Sequence, residues 1–291
     1  MFDRIFALAC DVAYIPGLFG TLNSIYTHHG NRIPVFIYER DFSAGGRARL
    51  KAHPLAPSVF PIDILPHPSP GLWEAKQQVM AHCLGRARCV FLLDADIVLT
   101  SGMDDVFALA AAGKIVGGRD GGRICYDEAH RVYGDGLPGT RHYYMNTGAV
   151  CLDVQRHWDL VALWAFTANY GAYSPHGGFP LHLPGHGDQG IFNALVARLG
   201  KLEDCHFLPH RLWHECGREC TMKITEEHAD GRLTVLNVDV GQPQRLLHST
   251  GPKWWTPEGE AYHGRYGDKL RVYQHFGAMN FTGKSAALSP A

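Results

Sequence analysis

An α/β domain built on a largely parallel sheet is the fold class the sequence predicts, and three observations carry that prediction. The run Cys89-Val90-Phe91-Leu92-Leu93 is apolar without alternation, as in a strand covered on both faces. Strand-like and helix-like segments alternate through the first third of the chain in the rhythm of βαβ units. With 291 residues, 46% of them hydrophobic and 19% charged, the chain suits one large globular domain better than two independent ones.

Ile5 to Cys10 reads as the first strand, Gly17 to His28 as a helix and Ile33 to Tyr38 as the second strand. After a shorter polar segment, Val59 to Leu65 is the third strand. Trp73 to Leu84 sets Trp73, Val79, Met80, Cys83 and Leu84 among Glu74, Lys76 and Gln77, the pattern of an amphipathic helix. That helix leads into the Cys89 strand and delivers Lys76 near its end. Met103 to Ala112 is a short helix with Asp104 and Asp105 in its first turn, where acids oppose the positive end of the helix dipole. Lys114 to Gly117 is a strand, Arg119 to Arg141 a loop, and Tyr143 to Leu152 a strand again. Trp158, Val161, Ala162, Trp164, Ala165 and Ala168 mark a helix behind it, and Asp188 to Leu199 is another. Between them, Tyr170 to Gly187 is rich in Gly, Pro, His and aromatics and reads either as a lid or binding loop, a candidate for substrate contact, or as a surface insertion.

A formal net charge of -1 excludes a sequence-blind electrostatic grip on nucleic acid or on an anionic membrane, and leaves a small molecule or saccharide as the expected partner. No stretch approaches the roughly 18 apolar residues that span a bilayer, and the start of the chain is too short and too early-charged for a signal peptide. The 8 cysteines are scattered, with Cys10, Cys83, Cys89 and Cys151 inside apolar segments, so free thiols in a reducing cytoplasm are expected. His210, His214, Cys216 and Cys220 fall close together and offer soft ligands for a structural zinc, although their spacing matches no standard finger. The 18 histidines predict an activity that falls as pH drops through about 6.5.

Two segments carry the chemistry. Asp94-Ala95-Asp96 follows the apolar strand directly, at the end where α/β sheets place their sites. Two carboxylates roughly 4 Å apart repel by about 4 kcal/mol at an effective dielectric near 20, a conflict that a divalent cation removes. Far downstream, His248-Ser249-Thr250-Gly251-Pro252-Lys253-Trp254-Trp255 supplies a metal-ligating imidazole, a glycine that lets backbone approach a phosphate, and a compact positive charge.

Taken together these segments resemble the retaining nucleotide-sugar transferases of glycosyltransferase family 8, the group that includes glycogenin and bacterial lipopolysaccharide galactosyl- and glucosyltransferases. The resemblance runs from about Ile5 to Trp255. It is carried, in family order, by Cys10-Asp11 with Tyr14, Leu93-Asp94-Ala95-Asp96, Asn146-Thr147-Gly148, Gly187-Asp188-Gln189, and the His248 to Lys253 segment. It implies a GT-A fold with a mixed, mainly parallel central sheet flanked by helices. The whole of 1–291 is then one domain, with a nucleotide-binding half over about 1–100, a sugar- and acceptor-binding half over about 101–260 and an appendage over about 261–291.

By the same resemblance, Asp94, Asp96 and His248 would ligate Mn²⁺, or Mg²⁺, together with both phosphates of a UDP-sugar. The nucleotide sugar would lie against Asp11, Tyr14, Lys76, Ala95, Asn146, Gly148 and Gly251. Lys253 would hold the diphosphate as it leaves, Asp188 would grip the transferred hexose, and Gln189 would lie beneath the anomeric carbon. An amide has no titratable form to make it a strong nucleophile, which favours same-face displacement onto a saccharide or other hydroxyl acceptor. Self-glucosylation would draw on Tyr262, Tyr266 or Tyr273. A sugar nucleotidyltransferase would need a basic, Gly-rich phosphate loop after the first strand, which Asp11 to Gly17 lacks, and an inactive saccharide-binding relative would have lost part of the metal triad.

Overall fold

The computed structural model describes residues 1–55, 59–61, 73–119, 144–170, 188–209, 220–249 and 251–279. In chain order these form β1 (Phe2–Asp11), α1 (Ile15–His29), β2 (Val35–Arg40), α2 (Ala44–Lys51), β3 (Val59–Pro61), α3 (Trp73–His82), β4 (Ala87–Asp94) and β5 (Ile97–Leu99). They continue through α4 (Asp104–Ala111), β6 (Ile115–Arg119), β7 (Met145–Asp153), α5 (Trp158–Tyr170), α6 (Asp188–Arg198) and β8 (Cys205–Leu208). The last part holds β9 (Met222–Glu227), β10 (Leu233–Asn237), β11 (Gln242–Pro243), β12 (Leu246–His248), α7 (Pro257–His263) and α8 (Lys269–Ala278).

The central sheet has the order β3-β2-β1-β4-β7-β6-β8. Every neighbouring pair is parallel except those made by β7, which runs antiparallel to both β4 and β6. This is the mixed, mainly parallel sheet expected. Alternation of side chains divides its core in two. From β1 and β4, Phe6, Leu8, Cys10, Cys89, Phe91 and Leu93 pack with α1 and α4, whereas Ile5, Ala7, Val90 and Leu92 pack with α3, α5 and α6. Phe6 and Phe107 meet edge to face at 5.4 Å, locking α4 against the sheet.

Element boundaries shift for identifiable reasons. The second strand starts at Val35, not Ile33, because Pro34 has no N–H to give the ladder, although its carbonyl accepts from Phe6 N at 2.9 Å. The polar segment after it contains α2, whose N-cap Ser43 accepts from Gly46 N. Of Val59 to Leu65, the described part Val59–Pro61 is strand and the remainder lies outside the described residues. So do the predicted loops over 120–141 and 171–187, and His210, His214 and Cys216 of the candidate zinc cluster. Cys220 is described and packs in a third core with Met222, Val235 and Val272.

That third core joins β5, β12, β9, β10 and α8 through Val98, Leu247, Met222, Val235, Tyr273 and Phe276. α8 lies along α1, where Asn23 Nδ2 donates to the Phe276 carbonyl at 2.6 Å. Tyr273 has none of its surface exposed and stacks on Trp254 at 6.1 Å, which removes it as a self-glucosylation acceptor. Among the described residues no helix is long and apolar enough to cross a membrane.

Several buried histidines are held away from titration near 6.5. His53 Nδ1 accepts from Leu55 N while its Nε2 faces Asn23 Oδ1 at 2.8 Å, which requires the neutral ring with the proton on Nε2. Burial, reinforced by Arg49, pushes its pKa down to about 4. Burial, with His29 and Arg232 adding to it, does the same for His28; burial against the opposing pull of Asp104 does so for His29. Unfolded imidazoles bind protons near 6.5 and these folded ones near 4, so the unfolded state holds more protons in between. Their stability contribution is complete above about pH 6.5 and is lost as pH falls toward 4. Calorimetry should show Tm falling across that window, and His53→Gln should flatten the slope by about 1.4 kcal/mol per pH unit.

Candidate functional site

β4 ends at Asp94, Ala95 and Asp96 form a turn, and β5 begins at Ile97. The two carboxylates therefore come together across a turn, and not as neighbours on one face of a continuing strand. β12 then pairs antiparallel with β5, matching Leu246 to Leu99, Leu247 to Val98 and His248 to Ile97. This register sets His248 Nε2 3.1 Å from Asp96 Oδ1 and 3.6 Å from Asp94 Oδ2. One ligand atom from each of the three lies within 4.8 Å of the others, with Asp96 and His248 buried.

Two oxygen donors and one imidazole nitrogen, with no thiolate, suit a divalent cation at the hard to borderline end of the range. The surroundings leave room for it. A Cβ at Gly148 would stand 2.7 Å from His248 Cε1 and 2.9 Å from Asp94 Oδ2, so only glycine preserves this cradle. Gly148 N donates to Asn146 Oδ1 at 2.7 Å, fixing the Asn146 amide beside it.

Each acid of the cluster also has an ammonium partner. Lys76 Nζ lies 2.5 Å from Asp94 Oδ1 and 3.2 Å from Asp188 Oδ2, bridging the end of β4 to the start of α6. Burial would depress its pKa, but Asp188 and Asp94 outweigh that and hold it above the usual lysine range. Lys253 Nζ sits 2.5 Å from Asp96 Oδ2, donates to the Ser249 carbonyl at 2.9 Å and lies 5.2 Å from the centre of the Tyr14 ring. Burial opposes its charge as well, and Asp96 more than offsets it. In turn His248 and Lys253 overcome the burial of Asp96 and keep its carboxyl well below the usual range.

The remaining predicted residues divide into two groups. Asp188 heads α6, and its Oδ2 accepts from Thr147 Oγ1 at 2.9 Å; Gln189 Oε1 accepts from Thr147 N at 3.3 Å. Asp188 thus links the start of α6 to β7 and, through Lys76, to the end of β4. Tyr14 meets Trp255 edge to face at 5.7 Å, over Gly17, whose absent Cβ would lie 2.5 Å from the Ala95 carbonyl. Gly251 takes φ +84°, a turn that favours glycine. Asp11 is engaged elsewhere, accepting from Ala13 N at 3.0 Å and facing Arg40 Nη2 at 3.5 Å.

Sequence reasoning named Thr147, Ser249 and Trp255 within motifs without giving them a role, and missed Asn193 as part of this site. Asn193 bonds Met145 N, Met145 O and Gln189 O, tying α6 to β7. Its signal was a polar residue one turn beyond Gln189 in an otherwise apolar stretch. Replacing Gly148 by Ala should weaken Mn²⁺ binding at least about tenfold while the melting profile stays cooperative, as read by titration of free Mn²⁺ by electron paramagnetic resonance.

No protein-family model and no curated protein matches the sequence. Solved structures do match it. The galactosyltransferase LgtC, solved with donor and acceptor sugar analogs, superposes with a TM-score of 0.59 at 15% identity, covering 94% of this chain and 96% of LgtC. The glycosyltransferase GlyE of Streptococcus pneumoniae TIGR4 gives 0.54 at 14% identity over 96% of this chain and 61% of GlyE. WbbM, a bifunctional glycosyltransferase, gives 0.55 at 13% identity over 94% of this chain and 52% of WbbM. The chain thus spans about three fifths of GlyE and half of WbbM, and nearly all of LgtC. Its fold is the GT-A fold of these glycosyltransferases, as the motifs in its sequence implied.

Proposed function

We propose that this chain is a retaining glycosyltransferase that moves a hexose, glucose or galactose, from a UDP-sugar to a saccharide or other hydroxyl acceptor with the help of Mn²⁺. The observation that carries the reading is the convergence of Asp94, Asp96 and His248 at the end of β4 in a GT-A fold. The glycosyltransferase character of the solved structures with this fold supports it. So does the intact triad, which an inactive saccharide-binding relative would have no need to keep.

Asp94, Asp96 and His248 would hold the cation, which when bound neutralises growing charge on the leaving diphosphate. Lys253 supplies a fixed ammonium on the same side, and its partly buried setting strengthens its pull on an anion. Gly251 lets the backbone approach a phosphate closely, and Tyr14 with Trp255 offers aromatic surface beside Ala95. Asp188 accepts hydrogen bonds from hydroxyls of the donor sugar, and Lys76, 3.2 Å from its Oδ2, keeps that side chain aimed. Gln189, held through Thr147, presents an amide that can steady positive charge at the anomeric carbon without forming a covalent intermediate. The acceptor proton then passes to the departing diphosphate oxygen on the same face. The free thiols of Cys10, Cys83, Cys89, Cys151 and Cys205 support a reducing compartment.

The test needs no acceptor: a panel of UDP-, GDP- and TDP-sugars with Mn²⁺, scored by slow nucleotide release. Release from one UDP-hexose, with early product keeping the donor's anomeric configuration by NMR, is the expected result. EDTA should abolish it, and Asp96→Asn should lower it at least about a hundredfold. Turnover untouched by chelation would remove the metal assignment.

A further inference from the structure

Ser249, Pro252 and Lys253, which flank the end of β12, are held from behind as well as in front. In front, Ser249 N donates to the Asp96 carbonyl at 3.1 Å and Lys253 Nζ bonds both Asp96 Oδ2 and the Ser249 carbonyl. Behind them stands α7. Thr256 N and Thr256 Oγ1 both donate to the Lys253 carbonyl, at 2.8 and 3.0 Å. A Cβ on Gly259 would overlap that carbonyl at 1.8 Å, so the first turn of the helix is seated against it.

The last residue of α7 completes the grip. His263 is 1% exposed, and its Nε2 lies 2.9 Å from the Pro252 carbonyl and 3.2 Å from Ser249 Oγ. A carbonyl only accepts, so Nε2 carries the proton. The Ser249 hydroxyl is then free to accept, as it does from Trp254 N at 3.2 Å. Among the described residues His263 Nδ1, which is buried, has no hydrogen-bond partner, so a second proton there would find no acceptor among them. Tyr262 and Tyr273 pack edge to face on the ring, each at 5.1 Å, and fix its plane.

We propose that His263 is a positioning residue: through its single Nε2–H on the Pro252 carbonyl, and beside the Ser249 hydroxyl, it holds the loop in the turn that keeps the Lys253 ammonium at Asp96, ready for a nucleoside diphosphate. The effect on the diphosphate rests on the glycosyltransferase reading; the effect on Lys253 does not. His263 acts through Lys253 and touches no substrate itself. Gln can place an amide N–H where Nε2–H now stands, whereas Asn, one carbon shorter, reaches only the level of Nδ1.

Two readouts separate the claims. Reductive methylation of Lys253, followed by peptide mass spectrometry, reports whether the ammonium is still held. His263→Ala and His263→Asn should raise its rate about tenfold over the natural chain, and His263→Gln should stay within about twofold. If His263→Ala does not fold, the contrast between the Asn and Gln variants carries the decision. Labelling rates equal to the natural chain in both Asn and Gln variants overturn the positioning role. Calorimetric titration of UDP in the presence of Mn²⁺ should show Kd about tenfold weaker in His263→Asn and restored in His263→Gln. An unchanged Kd in the Asn variant, despite faster labelling, overturns the link to the diphosphate. A natural chain that fails to bind UDP sinks the glycosyltransferase reading, while the labelling still decides what His263 does.

Discussion

Three residues of β12 against three of β5 make a small antiparallel contact, yet everything distinctive about the site depends on it. It ties a segment about 150 positions downstream to the end of β4, and its register sets which side chain faces the acidic turn. Alternation has a period of two, so a slip of one residue would turn His248 away and present Leu247 to the carboxylates. The third hydrophobic core fixes that register, because Leu247 and Val98 must both face Tyr273, Phe276 and Trp254. Apolar burial on one face of this ribbon thereby positions the His248 imidazole on the other, beside Asp94 and Asp96.

The electrostatics follow from the same contact. Asp96 is only 3% exposed, and a carboxylate so placed is costly unless paired. His248 and Lys253, both from the segment that β12 delivers, provide the pairing. Lys76 does the same for Asp94 and Asp188 from the opposite side. The cluster is a lattice of alternating charge reaching from α3 to α6 and across to the loop after β12. A cluster organised in this way is held in place by contacts within the chain itself.

Much of the scaffold was legible because it rests on local pattern. The unbroken apolar run at Cys89 to Leu93 marked a two-sided strand, and helical periodicity marked α1, α3, α5 and α6. What escaped had weak local signal. α2 is polar with two glycines and is held by its Ser43 cap, and α7 announces itself only through Thr256 followed by Pro257, a cap and first-turn proline. Pro34 moved a strand boundary that periodicity alone set two residues too early. Composition counts imidazoles, but burial decides where each titrates: His28, His29, His53 and His263 are all driven down to about 4.

By itself the sequence determined the fold class, the position of the acidic pair at the end of a buried strand, and the chemical types gathered in five separate motifs. These follow from periodicity and from residue chemistry, which are properties of neighbours along the chain. Tertiary structure alone decided that Asp94 and Asp96 converge across a turn, that both lysines rest on carboxylates, that Asp11 caps a turn and faces Arg40, and that His263 backs the loop bearing Lys253. Each of these depends on strand register or on packing between residues far apart in the chain, and distance in space is not written in local pattern.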